Sequence, residues 1–165
     1  MRLLKILLLA VAVTLPGFAS AQEAVPLTDV SERAHVTVNG GAMVLTTGPD
    51  WSGASLGGGV GYNLHQKFTV FGGYDHGFAL NNVDGDLDLY RVVGSVPVHP
   101  NAFVGFGYAW FSEGVEGGIT QLTVTKQIAS RLAISGLYAH VFAKDSLDDF
   151  EYARVYLNYH MLGKE

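Results

Sequence analysis

Cysteine is absent from this chain of 165 residues. No disulfide and no thiolate metal site can form, so packing and backbone hydrogen bonds must hold the fold. Positive charge is scarce. Ten Lys and Arg stand against fifteen Asp and Glu, for a formal charge of −5. That balance excludes nucleic acid or an anionic surface as the main partner. Charged residues of either sign reach only 15%. Long apolar runs are missing after the first twenty residues, which excludes a later membrane-spanning helix. Yet the hydrophobic fraction is 48%, the mean hydropathy is +0.24 and there are 21 glycines. A chain can be this apolar without long runs if its apolar residues alternate with polar or small ones.

The one apolar run reads as a targeting segment. Arg2 and Lys5 form a positive start, Ile6 to Val13 an apolar stretch, and Ala19-Ser20-Ala21 a small-residue cleavage site. The stretch is shorter than the ~18–20 residues of a spanning helix. Residues 1–21 are therefore expected to be removed as a signal peptide. Residues 22–165 are expected to form one domain. Loss of Arg2 and Lys5 takes the formal charge from −5 to −7.

After Ala34 the alternation is sustained. Val60-Gly61-Tyr62-Asn63-Leu64 and Val155-Tyr156-Leu157-Asn158-Tyr159 show it plainly. Period two puts successive side chains on opposite faces of a strand. Strands are predicted at about 34–46, 54–64, 67–78, 87–98, 102–112, 119–128, 131–142 and 151–162. The gaps between them alternate. His65-Gln66, His99-Pro100-Asn101 and Ala129-Ser130 are short; Thr47–Gly53, Ala79–Asp86, Glu113–Gly118 and Lys144–Asp149 are longer. Three tight turns and four longer loops suit an all-β, eight-stranded, antiparallel up-and-down transmembrane barrel with both termini at the tight-turn end. The hairpins share a pattern but show no fixed-period repeat.

Parity assigns the faces. Val104, Phe106, Tyr108 and Trp110 fall outward, as do Leu122, Val124, Leu157 and Met161. The inward sets read as polar or small. The seventh strand is ambiguous, because Leu132, Ile134 and Tyr138 compete with Leu137 and Val141. Tyr62, Tyr74, Tyr90, Tyr108, Trp110, Tyr138 and Tyr159 fall outward near strand ends, as an aromatic girdle at a bilayer interface would. Asp75, Arg91, Glu113 and Arg154 fall inward and predict a lumen charge network, structural or gating. Buried charges must be paired.

This plan resembles the small eight-stranded outer-membrane barrels of the OmpA/OmpX type. The likeness covers nearly the whole mature chain and is one of architecture, not of a specific motif. It implies the outer membrane of a Gram-negative-type bacterium. It also implies contact with membrane lipid and lipopolysaccharide, and handling by the outer-membrane assembly machinery. The last strand departs from those barrels, which commonly end on an aromatic residue. Here Tyr159 and Met161 are followed by Leu162-Gly163-Lys164-Glu165.

Candidate chemistry is sparse. Asp84-Gly85-Asp86-Leu87-Asp88 starts like a calcium loop but has Leu89 where Gly is needed and Ser95 where Glu is needed. His35, His65, His76, His99 and His160 show no metal-ligand spacing. His140, Ser146 and Glu151 are the best catalytic cluster. The lipid A deacylase barrels they resemble carry a Ser two residues after the His, where this chain has Phe142. The expectation is a monomeric integral outer-membrane barrel with a structural or surface-interaction role. It includes no catalysis, cofactor, metal or nucleic acid. The alternatives are a narrow, porin-like solute or ion channel, a lipid A-modifying enzyme, or a soluble lipid-binding barrel.

Overall fold

The computed structural model describes residues 34–47, 51–65, 67–80, 85–112, 114–144 and 148–161. The predicted signal peptide and the lead-in to residue 33 lie outside them. Eight strands follow in order: β1 (Ala34–Leu45), β2 (Ser52–His65), β3 (Phe68–Ala79), β4 (Leu87–His99), β5 (Ala102–Phe111), β6 (Glu116–Ala129), β7 (Leu132–Ala143) and β8 (Phe150–His160). Each pairs antiparallel with its sequence neighbours, and β8 pairs with β1 to close the barrel. Closure leaves no unpaired sheet edge.

Two-residue connections at 66–67, 100–101 and 130–131 sit at one end, beside both termini of the strand set. A register shift falls next to each, at Asn63/His65, Pro97/His99 and Gln127/Ala129. Such bulges tighten the local twist where a strand must reverse. Side chains finish the turns. The Lys67 N–H donates to His65 Nδ1 and the Asn101 N–H to His99 Nδ1, each at 3.3 Å. Gln127 Nε2 donates to the Ala129 and Ser130 carbonyls. Two of the histidines without ligand spacing are therefore turn caps.

The interior has two storeys. Around the longer connections it is apolar. Leu45, Leu89, Phe111, Ile119, Val141 and Tyr152 are buried there in one cluster, which Trp51 joins from the first long connection. Trp51 Nε1 donates to the Gly85 carbonyl at 3.3 Å. The expectation of polar or small inward sets therefore fails in this half. Parity gives the face of a residue but not its height, and most of the buried apolar cluster lies toward one end. In β7, Leu137 and Val141 are the buried set, while Leu132, Ile134 and Tyr138 share the outward face.

The outer surface is apolar as well. Val38, Leu56, Val60, Val92, Phe106, Leu122 and Leu157 are all exposed. A soluble barrel would leave this band in water at a heavy cost.

Candidate functional site

The sheet positions two groups of functional side chains: a buried charge cluster at mid-height and a ring of acids, histidines and aromatics outside.

Asp75 lies on β3, Arg91 on β4 and Arg154 on β8, all turned inward by parity. They are 1%, 4% and 1% exposed. Asp75 Oδ2 lies 2.7 Å from Arg154 Nη1 and 3.2 Å from Arg91 Nη2. Both contacts bring opposite charges together without hydrogen-bond alignment, and Asp75 Oδ1 has no partner. Gly57 makes the room, because a Cβ there would collide with the Asp75 carboxylate. Arg154 has two aligned acceptors. It donates from Nη2 to Asn39 Oδ1 at 2.6 Å and from Nε to Ser55 Oγ at 3.1 Å, while its Nη1 has only the Asp75 charge beside it. Its guanidinium also lies over the Tyr156 ring at 4.7 Å. Arg91 is held by fewer bonds. It reaches Tyr152 Oη only at 3.5 Å, and its Nε has no hydrogen-bond partner. One carboxylate thus serves two guanidinium groups. Glu113, the fourth residue expected in this network, lies outside the described residues.

The outward ring contains a duplication that parity reading passed over. Tyr74-Asp75-His76-Gly77-Phe78-Ala79 of β3 matches Tyr138-Ala139-His140-Val141-Phe142-Ala143 of β7. Asp86-Leu87-Asp88 and Arg91-Val92 match Asp149-Phe150-Glu151 and Arg154-Val155 on the partner strands. The register repeats too: His76 opposes Asp88 as His140 opposes Glu151. In both copies the acid bonds the histidine, at 2.7 Å for Asp88 and 3.5 Å for Glu151. A second acid approaches each ring, Asp86 at 3.5 Å and Asp149 at 3.6 Å. In the first copy the tyrosine two residues before the histidine bonds the same acid, Tyr74 Oη donating to Asp88 at 2.6 Å; in the second, Tyr138 stands at the matching position. The phenylalanine two residues after packs edge-on against the histidine, at 4.4 and 4.5 Å between centroids. The connections differ by one residue, so no single period spans both hairpins.

The girdle residues divide between the two ends. Tyr74, Tyr90, Tyr108, Trp110 and Tyr138 lie outward toward the long connections, where Trp110 opposes Glu116 across the β5–β6 ladder. Tyr62 and Tyr159 lie outward near the tight turns. For hydrolysis the ring offers a histidine–acid pair, but Phe142 occupies the place of a nucleophile beside His140. Ser146 lies outside the described residues. Among the described residues no group of three or more His, Asp or Glu is placed to hold a metal ion.

No protein-family model and no curated protein matches this chain. Solved structures do. A designed transmembrane β-barrel superposes with a TM-score of 0.52 at 15% identity, over 77% of this chain and 95% of its own. Neisserial surface protein A gives 0.52 at 12%, over 77% and 95%. The N-terminal β-barrel domain of Pseudomonas aeruginosa OprF gives 0.51 at 10%, over 79% and 98%. At these identities the likeness is one of fold. The chain has the eight-stranded, antiparallel, up-and-down transmembrane barrel of the small outer-membrane proteins.

Proposed function

We propose that this chain is an integral outer-membrane protein of a Gram-negative-type envelope, exported by residues 1–21, with a structural or surface-contact role and no catalysis. One observation carries this reading. The barrel is apolar outside and also packed with apolar side chains inside its long-connection half. The outside suits lipid. The inside narrows the lumen with packed apolar side chains, which argues against a channel. Tyr–acid–His clusters at the long-connection end belong at headgroup level, against lipopolysaccharide. An enzyme reading loses its nucleophile to Phe142 in one hairpin and Phe78 in the other.

Cell fractionation tests location. Mature protein should begin at Gln22, co-fractionate with the outer membrane and migrate differently on gels when unheated. Recovery in the soluble periplasm with no heat-dependent shift would overturn it. Mass spectrometry of lipid A incubated with the purified protein tests catalysis. The lipid A mass should not change; an acyl loss or gain that disappears in His140→Ala would make the protein an enzyme.

A further inference from the structure

The tight-turn half of the barrel is hollow. A cavity of about 520 Å³ extends there from Arg91 to the turn at Ser130-Arg131. That volume falls within the ~300–1,000 Å³ of small-molecule sites. Its wall is mostly Thr, Ser, Asn and Gln, with Phe71 and Phe103 among them. Among the described residues the titratable lining is one-sided: Arg91, His35 and His160 face the cavity, and no Asp or Glu does. Arg91 is nine-tenths buried, and its Nε finds no acceptor among the described residues. Its carboxylate partner, Asp75, is shared with Arg154. A buried donor without a partner and a surplus buried cation are both costly.

We propose that this cavity binds a compact oxyanion, a carboxylate or a phosphate, on the Arg91 guanidinium. The planar fork of an Arg matches the paired oxygens of such groups. A cation would meet a guanidinium and, among the described residues, no acidic ligand. A purely apolar guest would leave the Arg91 Nε unpaired. The apolar cluster above Arg91 closes the far end, so the anion enters and leaves past the tight turns. The cavity is a receptor, not a passage.

Nitrogen-resolved NMR of the intact barrel in micelles tests this directly. Inorganic phosphate and then acetate are titrated at constant ionic strength. The Arg91 Nε–H signal, assigned by its loss in Arg91→Lys, should move and saturate. A saturable response to only one of the two probes names the oxyanion class. Gln121 lines the same cavity, and its Oε1 is buried without a partner. Gln121→Glu places a carboxylate there with almost no change of shape, and should weaken phosphate binding at least tenfold. Phosphate should also raise the thermal midpoint of the natural protein by mass action, and raise that of Gln121→Glu far less. This second readout stands even if Arg91→Lys fails to refold. No saturable shift with either anion, or equal phosphate affinity in Gln121→Glu, would overturn the proposal.

Discussion

Removing Asp75 strands two guanidinium groups, whereas removing Arg91 strands none. After Arg91→Met, Asp75 and Arg154 remain a one-to-one pair 2.7 Å apart. Asp75→Leu should therefore be the costly change, at ~3–5 kcal/mol for uncompensated buried charge. Arg91→Met should cost less than half as much. The double variant should stay close to Asp75→Leu, because Arg154 still lacks its carboxylate. Urea unfolding in lipid vesicles measures all three. Full recovery in the double variant would mean that Asp75 and Arg91 form a private pair and that Arg154 does not depend on Asp75. Much of this cluster was legible. Asp75, Arg91 and Arg154 share an inward parity that a period of two reveals. The sharing was not legible, since it depends on how closure brings β8 around to face β3 across the lumen.

At the scale of the strand, Leu122 and Thr123 are neighbours in sequence on opposite faces of β6. Leu122 is 44% exposed on the outside, and Thr123 lines the cavity. If lipid covers the outer face, Leu122→Arg should destabilise by ~2–4 kcal/mol in vesicles. Thr123→Asn keeps a polar group in a polar cavity and should cost far less. Equal losses would mean that water, not lipid, meets Leu122. The strand boundaries were read within a few residues because turn residues and parity agree. The duplication of the β3–β4 hairpin in β7–β8 escaped because its marks are interleaved. Tyr, His and Phe stand on one face while unrelated residues alternate on the other, and a one-residue difference in the connection breaks the spacing. Its most consequential break in symmetry is Asp75, where the second copy has Ala139. The two matching arginines thus share a single carboxylate.

For the whole barrel, the contrast between its two halves decides whether anything passes. Eight strands enclose an interior that side chains can just fill. In the long-connection half they do fill it: Leu89, Ala139, Val141 and Tyr152 are fully buried. An apolar layer thus lies between the hollow half and the long connections. Alternation along the chain could not show this, because it does not record how far up the axis an inward residue lies. The natural protein in planar bilayers should therefore show no resolved conductance steps. Leu89→Ala removes a side chain from the layer and should cost ~2–5 kcal/mol, the usual range for an incompletely collapsed cavity. Thinning the layer should bring brief openings before it brings unfolding. Steady conductance through the natural barrel, with its heat-dependent gel shift intact, would show that the apolar layer is not a seal and would put the channel reading first.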